Sequence, residues 1–279
     1  TAAEQGQSVG INVQYHSQGE IKSFLTAQGA KETDATNYGT APNLTAPYSS
    51  GTLSSSTLNS AVAMINQIRY IAGISYNVSL NDSYNRYAQD AALIQYLNGS
   101  LSHSPARPNG VDDSLYNSAY KGSSSSNIAM GFSSLNVAIL RAWMSDADSY
   151  NIDRVGHRRW VLDPEMSATG FGAVGKYHAM YAFDSAAASS YYGVSWPAQN
   201  MPIDYFQNND PWSISMGEAV NGGAINVKLV RLSDGRTWNF SQNNQSDGYF
   251  HVDNANYGDP GCIIFRPNSI SYAAGDSFE

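Results

Sequence analysis

The spacing of apolar residues changes along this chain, from a helical period to the alternation that is typical of strands. Apolar side chains recur every three or four positions over residues 58–73, and similar spacing returns over 82–98 and 135–148. This spacing predicts amphipathic helices that bury one face. Further along, apolar and small residues alternate in short runs, which predicts strands at 159–162, 169–174, 177–183 and 191–196. Helices followed by strands favour an α+β fold built in layers.

Beyond residue 200 the sequence predicts strands only. Turn residues separate these short runs, and Ser233-Asp234-Gly235 between two of them is typical of a hairpin. The predicted strands are 212–216, 225–232, 237–240, 249–252 and 262–265.

Turn-rich and proline-containing segments divide the chain into three predicted parts. Few apolar residues occur before residue 58, and three prolines lie in a polar segment around residue 200. The alternation in the last four residues predicts a strand that continues further. We therefore expect an N-terminal extension (1–57), an α+β domain (58–200) and a small all-β, sandwich-like C-terminal domain (201–279).

The net charge argues against nucleic acid as a partner, and the length of the apolar runs argues against a membrane span. The chain has 15 Lys and Arg against 23 Asp and Glu, which gives a formal net charge of −8. Nucleic acid is a poor candidate, because most of this surface would repel a phosphate backbone. A membrane span is not predicted either, since no run approaches the roughly 20 apolar residues that cross a bilayer.

Cysteine usage and overall composition indicate how the protein is stabilised and where it works. Cys262 is the only cysteine, so no disulfide can form within the chain, and packing must supply its stability. The first ten residues have neither the basic start nor the apolar run of a signal peptide, as expected of a mature chain. This composition, with few charged residues and many Ser, Asn and Tyr, is similar to that of exported proteins of Gram-positive bacteria. We therefore expect a secreted, extracellular protein.

Two histidines lie in distinctive sequence contexts. His103 follows the second predicted helix in LSHSP, and His157 lies in GHRR. Between them come SNIAMG and a helix that contains WMSD, and a TGFGA strand follows. In order, spacing and flanking residues, the stretch 58–175 resembles the CAP superfamily. This superfamily comprises cysteine-rich secretory proteins, antigen-five allergens, plant pathogenesis-related proteins and bacterial SCP-like extracellular domains.

The resemblance implies an α-β-α sandwich with a three- or four-stranded antiparallel sheet, and a cleft. Members of the family often place two His and two acidic residues around a cavity that can hold a divalent metal. Carried over by motif, the cleft consists of His103, Asp146 and His157, with Ser126 where the family has Glu and Asn127 beside it. The set of two His and two acidic residues is therefore incomplete, and the side chain of Asp146 is one methylene shorter than that of the usual Glu.

Several chemistries remain open for this residue set. His103, His157 and Asp146 could hold zinc or another divalent ion with a water as fourth ligand. Alternatively, Asp146 could orient a His ring without touching a metal, or the residues could form a metal-free hydrogen-bonded cluster. A weaker hypothesis makes Ser126 a nucleophile beside a His and Asp146, although no nucleophile elbow surrounds it. No catalytic residue is assigned.

These alternatives lead to different functions. The first is a secreted, non-catalytic module whose cleft binds a small molecule, a lipid or a cell-surface ligand, and the second is a metal-assisted extracellular hydrolase. A third is adhesion through the C-terminal domain alone. For Arg158 and Arg159 we expect ion pairs close in sequence, with Asp153, Asp163 or Glu165, in preference to an anionic ligand.

Overall fold

The computed structural model describes residues 12–189, 191 and 193–279. Residues 1–11 of the predicted N-terminal extension, and residue 192 of the predicted strand at 191–196, lie outside the described residues. Among the described residues, no helix has both the length and the apolar character needed to cross a membrane.

The long helices begin and end where the local sequence supplies caps. Ser54 caps the second helix by accepting a hydrogen bond from the backbone of Thr57, and Gly73 ends it with φ 78°. Asn81 caps the third helix in the same way. The helices of this part of the chain are α1 (Gln18–Gln28), α2 (Ser55–Ala72), α3 (Asp82–Asn98), α4 (Asp113–Ser124), α5 (Leu135–Ala138) and α6 (Gly156–Val161).

A three-stranded antiparallel sheet lies between two helical layers. Its strands, in spatial order, are β4 (Ser126–Met130), β7 (Tyr177–Tyr181) and β6 (Phe171–Val174). One face packs on α3, where a Cβ at Gly172 would lie 2.2 Å from the backbone of Ala88, so glycine permits the close approach. The other face joins the main core with α2 and α5. This is the expected α-β-α arrangement.

Short strand pairs complete the N-terminal half of the fold. An antiparallel pair in the N-terminal arm precedes α2, and a parallel pair connects the start of α3 to the segment before β6. These strands are β1 (Tyr38–Thr40), β2 (Thr52–Leu53), β3 (Ser79–Leu80) and β5 (Ala168–Thr169).

The C-terminal part consists of strands and two single-turn 3₁₀ helices. A four-stranded antiparallel sheet has the order β12, β13, β9, β8, and β10 pairs with β11 in a hairpin whose turn contains Gly235 at φ 71°. The strands are β8 (Val194–Trp196), β9 (Trp212–Ser215), β10 (Asn226–Val230), β11 (Thr237–Ser241), β12 (Gly248–Asp253) and β13 (Cys262–Pro267), and the 3₁₀ turns are Ile203–Tyr205 and Gly222–Ala224.

The C-terminal sheet extends across the predicted domain boundary near residue 200. Strand β8 lies before that position and pairs with β9 after it, with Trp196 opposite Ser213. Trp212 contacts both the main core and the C-terminal core. Side-chain packing therefore continues from one part of the chain into the other.

Three sequence predictions of secondary structure differ from the structure. The sequence predicts a strand at residues 159–162, but most of these residues lie in α6. Two arginines interrupt the apolar spacing that would have indicated a helix. Helix α4 was not predicted, because few of its residues are apolar and only Ala119, Gly122 and Ser123 are buried. The predicted helix at 135–148 leaves α geometry after Ala138 and ends as a π-helix, Ile139–Trp143.

Candidate functional site

His157 and Asp146 form a hydrogen-bonded pair at the centre of the predicted cleft. The Nδ1 atom of His157 lies 2.7 Å from Oδ1 of Asp146. Because a carboxylate only accepts, Nδ1 carries the proton and donates. The second oxygen, Oδ2, accepts from the backbone nitrogen of Arg158 at 3.1 Å. Both carboxylate oxygens of this buried residue therefore serve to hold α6 and its histidine ring in place.

Asp146 itself and Val155, which precedes α6, adopt a backbone conformation that L-residues rarely occupy. Asp146 has φ 44° and Val155 has φ 42°; among the described residues, Ser269 is the only other non-glycine residue in this region. For a β-branched residue such as Val155 the conformation is a real outlier, and it persists because packing against Cys262 and Ile264 fixes it. Strain of this kind clusters at sites that hold side chains in a set geometry.

The charge environment of His157 favours its protonated form. Burial by itself lowers the pKa of His157, but the negative charge of Asp146, the hydrogen bond that His157 donates to Asp146 and the charge of Asp148 together raise it above the ordinary value. Arg154 opposes this shift. Below the raised pKa the ring is an imidazolium whose Nε2–H can donate to a ligand oxygen.

His103 lies on the other side of the predicted cleft and is exposed. Its Nδ1 donates to the carbonyl oxygen of Ser123, 2.8 Å away, at the end of α4. The loop that carries it is held by buried Gln95, which bonds to both the nitrogen and the oxygen of Ser102 at 2.8 and 2.7 Å. As in His157, the bond uses Nδ1, and Nε2 makes no hydrogen bond within the described residues.

The start of β4 connects the two histidines. The side-chain amide of Asn127 donates to the carbonyl oxygen of His157 at 2.9 Å, and Ser123 holds His103. Four backbone steps separate Ser123 from Asn127, so their Cα atoms lie at most about 14 Å apart. The ring of His103 and the backbone of His157 are therefore both attached to one short segment of the chain.

Ser126 lies inside that segment, where the resemblance expects Glu. Its side chain is buried, and its Oγ has no hydrogen-bond partner within the part of the chain that the structure describes. Neither histidine bonds to it, so the arrangement of a Ser-His-Asp nucleophile is not formed. A buried hydroxyl without a partner is costly unless a ligand or water completes it.

Comparison with protein families identifies the domain that carries these residues. Residues 62–195 match the model of the cysteine-rich secretory protein family, CAP. These residues are a CAP domain. Searches of curated proteins and of solved structures found no match to the chain.

The residues of this CAP domain do not fit a metal centre. Both oxygens of Asp146 accept hydrogen bonds, from His157 and Arg158, and the side chain is only 1% exposed, so the two imidazole Nε2 atoms are the remaining strong donors. In the described residues, no group of three or more His, Cys, Asp or Glu side chains could hold a metal ion. Two donors bind zinc weakly. Asp146 therefore acts as the positioning residue for His157.

The two arginines after His157 connect the CAP domain to the C-terminal strands. Arg158 is fully buried and donates to the carbonyl oxygens of Met144 and Ser145 on one side, and to Pro211 O and Ser213 Oγ on the other, at 2.6–2.9 Å. These donations satisfy all three guanidinium nitrogens. The residue fixes His157 relative to strand β9.

Arg159 makes the second connection, at the far end of the C-terminal sheet. It forms an ion pair with Asp253, donates to the carbonyl oxygen of Asp259 at 2.9 and 3.0 Å, and lies over the ring of Tyr257 with 5.0 Å to the centroid. A Cβ at Gly156 would lie 3.0 Å from the same ring, which explains the glycine of GHRR.

The expected ion pairs of these arginines with acids close in sequence were wrong. The ion pair of Arg159 is with Asp253, 94 positions away, and Arg158 bonds to carbonyl oxygens and a serine. Sequence spacing could not reveal these partners, because they lie on strands of another part of the fold. The only available signal was a pair of adjacent arginines in a chain with few basic residues.

Proposed function

We propose that this protein is a secreted binding module. Its CAP cleft, formed by His103, Ser126, Asn127, Asp146 and His157, binds a small molecule, a lipid or a cell-surface ligand without turning it over. The observation that carries the proposal is the commitment of both Asp146 oxygens to neighbouring groups. With serine at position 126, none of the five proposed cleft residues offers a carboxylate without hydrogen-bond partners to act as a base or to hold a metal.

The cleft retains groups suited to binding. His157 and His103 each use Nδ1 within the protein and make no hydrogen bond through Nε2 in the described residues, where Ser126 also offers a buried hydroxyl with no partner. A polar ligand group that pairs with this hydroxyl gains the hydrogen bond that the protein leaves unmade. The cleft is therefore already arranged before a ligand arrives, which lowers the cost of binding.

The extracellular location rests on two independent supports. CAP domains are typically extracellular. The composition, with one cysteine, few charged residues and a net charge of −8, is similar to that of exported proteins of Gram-positive bacteria. The C-terminal strands, held by Arg158 and Arg159, supply a rigid attachment through which the cleft can be presented at a surface.

The test measures binding and turnover in the same samples. Purified protein is titrated with a fatty acid, with cholesterol, with soluble cell-wall glycan and with zinc, and is assayed for hydrolysis of peptides and esters. We expect saturable binding of one organic ligand, weakened about tenfold or more in His157→Gln and unchanged in the exposed control His251→Gln. Hydrolysis that His157→Gln abolishes, stoichiometric zinc, or no binding of any organic ligand would each overturn the proposal.

A further inference from the structure

A second concave surface lies outside the CAP cleft, between the N-terminal arm and two helices. We name it the arm groove; it has a volume of about 630 Å³. Tyr48 and Ser49 of the arm form one wall, and helices α3 and α4 form the other. Nothing in the CAP cleft contributes to its lining, so the two surfaces can be tested separately.

A buried carboxylate builds the floor of the arm groove. Asp90 on α3 is 4% exposed; its Oδ1 accepts from Ser50 Oγ at 2.5 Å, and its Oδ2 accepts from Ser118 Oγ on α4. The neighbouring Gln89 donates to the carbonyl oxygen of Ser50 at 2.7 Å. These bonds hold the arm against both helices, so the groove is preformed. The unused lone pairs of Asp90 can accept further hydrogen bonds.

The rim of the groove carries polar groups with no partner. In the part of the chain that the structure describes, the side chains of Ser114, Asn117 and Lys121 make no hydrogen bond and no ion pair. Arg86 likewise makes no ion pair there, and its guanidinium lies 5.4 Å from the centroid of the Tyr87 ring. Donors and acceptors from both helices therefore converge on one space beside aromatic rings.

The charges in the groove exclude most ligand classes. Arg86 and Lys121 are offset by Asp90 and Asp112, and the whole chain is acidic, so a polyanion gains little. A lipid tail does not fit a mainly polar lining. A divalent cation is disfavoured, because two basic side chains share the space with Asp90.

A polyhydroxyl ligand matches what remains. Sugar hydroxyls both donate and accept, so they can pair with Asp90, Asn117 and the two basic side chains together. Tyr48 and Tyr87 add aromatic surface for the apolar face of a sugar ring. From these observations we propose that the arm groove is a saccharide-binding site, separate from the CAP cleft.

The test uses the full chain and small soluble probes. Chitotetraose and cellotetraose are titrated by calorimetry and by amide chemical shifts, with a tetrapeptide of mixed sequence as the comparison ligand. We expect saturable binding of at least one saccharide, with Kd raised about tenfold in Asn117→Ala/Lys121→Ala. The matched control Asn226→Ala/Lys228→Ala exchanges exposed residues of the same types on β10 and should leave Kd within about twofold.

The outcomes separate this proposal from the function of the cleft. His157→Gln should leave saccharide binding unchanged, whereas its loss in that variant would move the saccharide to the CAP cleft and overturn the arm-groove site. Binding of the tetrapeptide with no saccharide bound, no binding of either saccharide, or equal effects of the two double variants would overturn it as well. All four substituted residues are exposed, so each variant should fold. Thermal melting checks this.

Discussion

The loop that carries His103 and the helix that carries His157, the two elements of the proposed cleft, are held in different ways. His103 is exposed and makes one hydrogen bond, to a carbonyl oxygen at the end of α4. His157 lies on α6 between a buried carboxylate and two buried arginines that reach the C-terminal strands. Removing groups from the His157 region should therefore affect the whole fold, whereas the His103 loop should respond locally.

Arg158→Ala should produce the largest effect on this comparison. The substitution leaves four acceptors without their donor and opens a cavity between the CAP domain and β9. We expect the free energy of unfolding to fall by about 3 kcal/mol or more. Urea denaturation followed by tryptophan fluorescence measures it.

The control for this prediction is Arg154→Ala, which removes an arginine of the same segment whose ion pair with Asp153 is largely exposed. Its loss should change the stability by no more than about 0.5 kcal/mol. If the two variants were equally stable, the C-terminal contacts of α6 would not be what holds the His157 region.

The next effect is a pH dependence at the contact between α6 and the C-terminal strands. Burial is the main cause that raises the pKa of Asp163 to about 7 and that of Asp259 to about 6, and the charge of Glu165 contributes in the same direction. Arg69 opposes the shift of Asp163, and Arg159 opposes that of Asp259. One oxygen of Asp259 has no hydrogen-bond partner among the described residues.

The sign follows from the raised pKa values. Because the folded protein keeps these two protons above the pH at which the unfolded chain loses them, the contribution of the two groups to stability is largest in acid and falls as the pH rises from about 4 to about 7. Since one unit of pKa shift corresponds to about 1.4 kcal/mol, we expect a loss of at least about 2 kcal/mol over this range in urea denaturation. Asp259→Asn should flatten the dependence, while Asp153→Asn, an exposed control, should not. A flat profile for the wild type would contradict the prediction.

Asp146→Asn keeps the size of the side chain and one acceptor oxygen, so it should give the smallest effect, measured in the titration of His157. With the carboxylate gone, burial acts on His157 with less opposition, and its pKa should fall below the ordinary value. NMR titration of the imidazole protons measures this shift, and the His103 resonances serve as the internal reference.

Asp148→Asn provides the matched control for that titration, because Asp148 also raises the pKa of His157 but makes no hydrogen bond to the ring. Its effect should have the same direction and be smaller. An equal effect of the two variants, or a shift of the His103 resonances in Asp146→Asn, would show that the pair is not the local unit described above.

The sequence patterns that predicted correctly are those whose signal is local. Helices α2 and α3 have regular apolar spacing and capping residues at both ends, so their positions were evident. Strands β9 and β13 alternate or consist of apolar residues between turns. Helix α4 was not predicted because only a narrow stripe of its surface is buried against neighbouring elements. Most of its length therefore carries serine, asparagine and lysine instead of apolar residues.

The sequence by itself determined the layered α+β fold and the CAP motifs. These depend on residue type and on spacing along a helix or strand, which are fixed by the covalent chain. It also predicted the missing carboxylate at Ser126, because that is a matter of which residue occupies a position in a motif.

Only the tertiary structure decided what those residues do with one another. Asp146 could have been a metal ligand or a positioning residue until its two oxygens were seen to bond to His157 and Arg158. Arg158 and Arg159 also bond to groups 53 or more positions away, on the C-terminal strands and their loops. A hydrogen bond depends on distance and direction in space, and the packing of distant elements sets both.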